Sequence, residues 1–189
     1  IRHLAKFTKG NIYVQSLLPD LSQRLIRLGA IESNIFTIEN EFEIPVFEVK
    51  RNDTEFNVVF IGRIEDLSKG IRRLRSTIFK IFKKNTKIKF NLIGTGNDKN
   101  ILNNIPNNAK YWGKVNDEKK IEIIQSSNLA LVTSNLEPYS LVILEYLFYG
   151  IPVISTPASG PSYVLSKNPI YGKVSSFRPS VLADDIIEY

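Results

Sequence analysis

The chain has 189 residues, 43% hydrophobic and 23% charged, and a formal net charge of +6. That is enough chain for one ordinary domain with a proper core, or one domain plus a piece of another. The absence of Cys excludes disulfides and thiolate metal sites, the single His3 excludes a His-rich metal centre, and the basic balance favours anionic partners without choosing among them.

The chain opens at Ile1 rather than Met, which reads as a fragment or a processed chain. Arg2, His3, Lys6 and Lys9 interrupt its first residues, unlike a secretory signal. No apolar run approaches the roughly 20 residues that span a bilayer, so a cytoplasmic protein is expected. Residues 11–15 and 34–38 read as strands. Helical spacing lies between them over 20–28 and stops at Gly29. Residues 43–54 are the best linker candidate, and a boundary near 47/48 would separate a short leading region from a main domain over 48–189.

From residue 56 onward the pattern alternates. The run 56–61 is short, apolar and β-branched, and ends at Gly62. Residues 70–84 have helical spacing, with Ile71, Leu74, Ile78, Ile81 and Phe82 on one side. Arg72, Arg73, Arg75, Lys80, Lys83 and Lys84 lie on the other. A strand over 88–93 follows, then a short helix over 98–105, an extended piece over 110–115 and a helix over 117–126. A strand over 129–133, a helix over 140–149, a strand over 152–155 and a closing helix over 180–189 complete the chain. Regular alternation predicts an α/β fold: a Rossmann-like parallel sheet flanked by helices.

Ligands of open parallel sheets bind beyond the carboxyl ends of the strands. The residues expected there are Gly62-Arg63, Lys69-Gly70, Gly94-Thr95-Gly96, Gly113-Lys114, Ser134 to Pro138 and Thr156 to Pro161. Glycines allow close backbone approach, and Arg and Lys suit phosphate oxygens. Pro138 fits the first turn of a helix whose free N–H groups would form an anion site. Glu145 lies two turns in, among apolar neighbours, and needs a partner; a ligand hydroxyl would be one. Each feature also has an ordinary reading. Glu145 can be a structural ion pair, Arg63 a surface charge, Gly94-Thr95-Gly96 a turn, and the 72–84 cations a solvated helix face.

The segment EPYSLVILEYLFYGIPVI, residues 137–154, resembles the E-x7-E signature of the large retaining glycosyltransferase group with the GT-B fold. VVFIGRIEDLSKG resembles its strand–GR–loop–KG element. FNLIGTG resembles its next strand with a G-x-G loop, and YWGKV its short strand with G-x-V. IYVQS followed by RLIRLGAIESNIFTIEN looks like the end of the partner domain running into the donor domain. The resemblance therefore implies the C-terminal, donor-binding half of a GT-B enzyme, acting on a nucleotide diphosphate sugar and an acceptor hydroxyl.

The resemblance also implies roles. Arg63 and Lys69 would hold the donor diphosphate, and Gly62 would let the backbone approach it. Glu145 would bond the ribose hydroxyls, and Glu137 would contact the transferred sugar as the catalytic residue. Backbone groups at Ser140 and Leu141 would meet the distal phosphate. Gly94 and Gly96 belong to the same edge, and Gly113, Lys114 and Val115 would lie near the base. No bound metal or other cofactor is implied, because two cations and a helix N-terminus face the leaving diphosphate. The acceptor would be held by an amino-terminal domain nearly all missing from this chain, so the piece alone is expected to be inactive. Pro138 and Ser140 stand where the family often has Gly, and Tyr163 where it often has Glu.

A nicotinamide-binding domain needs a third glycine after Gly94-Thr95-Gly96, and Asn97-Asp98-Lys99 follows instead. A P-loop would need Gly-Lys-Ser or Gly-Lys-Thr. Carboxylates in the cleft argue against nucleic acid. A binding-only relative without catalysis stays open, as does a GT-B phosphorylase or epimerase. The cations of 72–84 add a secondary expectation of peripheral contact with an anionic membrane.

Overall fold

The computed structural model describes residues 13–38, 55–84 and 87–189. The chain divides into two compact units, 1–42 and 43–189. The expected linker over 43–54 and the boundary near 47/48 lie outside the described residues.

In the first unit, β1 (Val14–Ser16) runs parallel to β2 (Ile35–Thr37), with Val14 opposite Ile35. Between them stands α1 (Pro19–Arg27). Pro19 opens this helix, where a missing N–H is harmless, and Arg24 and Arg27 sit at its carboxyl end. Gly29 follows with φ +93°, as a helix stop requires. Tyr13, Ile31, Phe36 and Ile38 are exposed.

The second unit is built on a six-stranded sheet. Its strands are β3 (Phe56–Ile61), β4 (Ile88–Ile93), β5 (Ala109–Gly113), β6 (Leu129–Val132), β7 (Val153–Ser155) and β8 (Gly172–Val174). They lie in the order β5-β4-β3-β6-β7-β8, every neighbouring pair parallel. Central strands of a parallel sheet are covered on both faces and need continuous apolar runs. Leu129, Ala130, Leu131 and Val132 accordingly are all buried.

The helices are α2 (Asp66–Lys69), α3 (Ile71–Lys84), α4 (Asp117–Gln125), α5 (Leu141–Phe148), α6 (Ser159–Ser166) and α7 (Pro179–Glu188). Helix α3 buries Ile71, Leu74, Ile78 and Ile81 in the main core with Phe90, Leu131 and Leu182. Asn116 caps α4 by accepting the Lys119 N–H at 3.0 Å.

The structure departs from the sequence reading at several places. The expected helix over 98–105 is a 3-10 turn, Lys99–Leu102. Helix α6 starts inside what reads as a loop, because Gly160-Pro161 fits a helix's first turn, whose N–H groups have no helical acceptor. Pro138 is outside α5, which begins at Leu141. Ser140 intervenes with φ +76°, so the chain turns left-handed before the helix starts.

Candidate functional site

The strand order reverses between β3 and β6, and the expected residues gather at the carboxyl edge around that switch. Backbone hydrogen bonds stitch the ends of β3, β4 and β5 together. The Gly62 N–H donates to the Ile93 carbonyl at 3.1 Å, Ile64 to Thr95 at 2.9 Å, and Gly94 to Gly113 at 2.9 Å. A Cβ on Gly94 would stand 1.8 Å from the Gly62 carbonyl oxygen, and one on Gly96 would stand 2.1 Å from that of Ile64. The neighbouring loop therefore requires glycine at both positions, whatever binds at this edge. Gly113 differs: its φ is +67° and the space around it is open. Lys114 beyond it is exposed and Val115 half-buried.

A second stitch ties α2 to the loop after β6. The Asn135 and Leu136 N–H groups donate to the Ser68 carbonyl at 2.7 and 3.1 Å, and the Thr133 hydroxyl donates to the Lys69 carbonyl at 2.8 Å. Gly70 lets these segments meet, since a Cβ there would lie 2.3 Å from the Thr133 oxygen. The result brings the Lys69 ammonium against the Glu137 carboxylate, which also accepts from the Ser134 hydroxyl at 3.1 Å. Both side chains are largely enclosed, 18% and 12% exposed. The Glu137 carbonyl accepts the Gly160 N–H at 2.9 Å, so α6 holds this segment from behind.

Arg63 stands apart from that pair. It is 67% exposed and lies 3.8 Å from Glu65. The first turn of α5 presents Leu141, exposed, after the buried Ser140, whose hydroxyl has no hydrogen-bond partner. Glu145 is in an ion pair, its ordinary reading from the sequence, and the partner that sequence reasoning did not name is Lys120. Lys120 on α4 donates to its carboxylate at 2.6 Å and sits 3.4 Å from Asp117. The hydrogen bond to Glu145 raises the Lys120 pKa above its ordinary value. Nothing local signals this pair, because its members come from different helices. Tyr146 was also missed. It is wholly buried, and its phenol oxygen accepts the Ile61 N–H at 2.7 Å, one residue before Gly62.

Arg73 leaves the basic stripe assigned to it. Its guanidinium donates to the carbonyls of Phe177 and Thr133 at 2.8 and 2.7 Å, and to the Asn135 side chain at 2.8 Å. Desolvation by burial lowers its pKa. Among the described residues, no group of three or more His, Cys, Asp or Glu side chains comes together to hold a metal ion. Nor is any helix there long and apolar enough to cross a membrane.

This sheet, its flanking helices and its carboxyl-edge cleft form a Rossmann-like α/β fold that matches GT-B glycosyltransferases. The chain belongs to the glycosyl transferases group 1 family, which it matches over residues 55–188. A mutant of S. aureus TarM, solved with Fondaparinux, alpha-GlcNAc-glycerol and UDP, is 25% identical with a TM-score of 0.80. That match covers 93% of this chain and 36% of TarM. Anabaena HepE, solved with UDP and glucose, is 17% identical with a TM-score of 0.75, over 99% of this chain and 57% of its own. The lipopolysaccharide outer core galactosyltransferase WaaB is 20% identical with a TM-score of 0.70, over 92% of this chain and 50% of its own. This chain thus spans only 36% to 57% of the length of these three proteins. No curated protein sequence matches it.

Proposed function

We propose that this chain is the donor-binding half of a retaining glycosyltransferase, and that it holds a nucleotide diphosphate sugar at the carboxyl edge of the β3/β6 switch. The observation that carries the reading is the meeting of Lys69 and Glu137 beside the start of α5, with Glu145 one turn further along that helix. A nucleotide diphosphate sugar is the ligand that uses all of them. It would take over the Lys69 ammonium and meet Arg63 and the N–H groups at the head of α5, where the helix dipole favours negative charge. Glu137, released from Lys69, would face the transferred sugar. Glu145, steadied by Lys120, would accept from the ribose hydroxyls.

In this reading the two cations and the helix terminus stabilise the leaving diphosphate without a metal. The acceptor hydroxyl attacks on the face from which the leaving group departs. UDP is the first nucleotide to try, because TarM and HepE were solved with it. Transfer itself belongs to a longer protein, since the neighbours carry about as much chain again or more.

Calorimetry of the chain with UDP, GDP and ADP in metal-free buffer tests the proposal, and selective binding of one is expected. Lys69→Met should weaken that binding about tenfold, the loss of one charge-assisted contact. Binding that ignores Lys69→Met would refute the diphosphate assignment.

A further inference from the structure

Helix α3 has a second working face. At about 100° per residue, Arg72, Arg75, Ser76, Phe79, Lys80 and Lys83 fall on one outward arc. Its titratable groups are all cations. Arg73 and Lys84 are not part of it, being engaged with Thr133, Asn135 and Phe177 and with Asp184. Toward the start of α3 this face becomes one wall of an open groove of about 500 Å³. The other wall is the 3-10 turn Lys99–Leu102 with the residues after it. The groove presents Arg72, Arg75, Ser76, Asn100, Asn103 and Asn104.

The lining has a definite chemistry. Arg72 is anchored by Asp66 at 3.0 Å, and the Arg75 guanidinium lies over the Phe79 ring at 4.5 Å. Both cations are held in place before any ligand arrives. Guanidinium groups recognise anionic oxygens. Three carboxamides and a hydroxyl can each donate and accept, which matches the hydroxyls of a sugar or polyol. A flat lipid surface makes no use of a concave, amide-lined wall. A nucleic acid strand would need open aromatic platforms for its bases, and Phe79 is covered by Arg75. Beyond the groove, Lys80 and Lys83 continue the positive arc along the helix.

We propose that this groove binds a linear acidic carbohydrate, a hydroxyl-rich chain bearing phosphate, sulfate or carboxylate groups. The groove is linked to the donor cleft through Asp66. Asp66 pairs with Arg72 and opens α2, the helix that ends at Lys69. That the bound chain is the acceptor or the product rests on the transferase reading; that the groove binds it does not.

The test is a titration of the whole chain with a size-defined dextran sulfate, run beside neutral dextran and inorganic polyphosphate, at constant ionic strength. Dextran sulfate should bind, and neutral dextran should not. Arg75→Gln should weaken binding about tenfold, the loss of one ion contact. Asn103→Ala, which removes no charge, should weaken it several-fold. Lys110→Gln, which removes the same charge from the edge strand β5, should change it less than twofold. The proposal is overturned if Lys110→Gln acts as strongly as Arg75→Gln, or if Asn103→Ala is silent while polyphosphate binds equally well. It is also overturned if anionic vesicles bind more tightly and that binding is lost in Arg75→Gln. UDP binding is measured separately, so failure of the donor reading and failure of this one give different results.

Discussion

Tyr146 shows how one buried polar atom can fix the edge of a cleft. β6 pairs with β3 at Val58 and Val59 but not at Ile61, so the Ile61 N–H turns to the Tyr146 oxygen instead. Burial pushes the phenol's pKa far up, so it remains neutral and keeps its geometry. Tyr146→Phe should cost about 1 kcal/mol, because it leaves the part-buried Ile61 N–H without this acceptor; urea unfolding measures it. Ser140 behaves oppositely. Its left-handed backbone is strained for a residue with a Cβ, and its buried hydroxyl makes no hydrogen bond. Ser140→Gly should therefore raise stability by about 1 kcal/mol, seen as a higher thermal midpoint. A lower midpoint would mean that the hydroxyl is satisfied in solution.

The loops at the element scale separate two uses of glycine that look identical in sequence. Gly94 and Gly96 sit where any Cβ would overlap backbone of the β3 loop, whereas Gly113 needs only its positive φ. Gly94→Ala or Gly96→Ala should destabilise by more than about 3 kcal/mol, since neither loop can yield without breaking its stitch, and Gly113→Ala by about 1 kcal/mol. Equal losses in chemical denaturation would contradict the close approach. Strands β3 and β4 were legible to the residue, because short apolar runs closed by glycine suit strands covered on both faces. Helix α2 was not, having four residues and no apolar period, and β8 is three residues at a sheet edge. The site was half legible. Residue types at strand ends carry the expectation of an anion cleft, but the Lys69–Glu137 and Lys120–Glu145 pairs join residues far apart in sequence, and local pattern carries no record of such meetings.

At the scale of the molecule the two units have very different means of standing alone. The second closes a six-stranded sheet over a core of Val58, Phe60, Leu74, Ile78, Phe90, Leu131 and Leu182, with α3 and α7 packed on it. Among its described residues the first has two parallel strands and one α-helix, and Tyr13, Phe36 and Ile38 are exposed. Parallel strands are stable where both faces are covered, and an isolated pair is marginal in water. A chain of residues 43–189 should therefore unfold in one cooperative step, with a midpoint within about 3 °C of that of the whole chain, a shift worth roughly 1 kcal/mol or less. It should also bind the preferred nucleoside diphosphate with unchanged affinity, because Arg63, Lys69, Glu137 and Glu145 all lie within it. Residues 1–42 alone should give the circular dichroism of an unfolded peptide. If the shortened chain instead loses its cooperative transition, the six-stranded sheet draws necessary stability from the leading unit. If it folds but no longer binds, the donor site proposed at the carboxyl edge is incomplete as drawn.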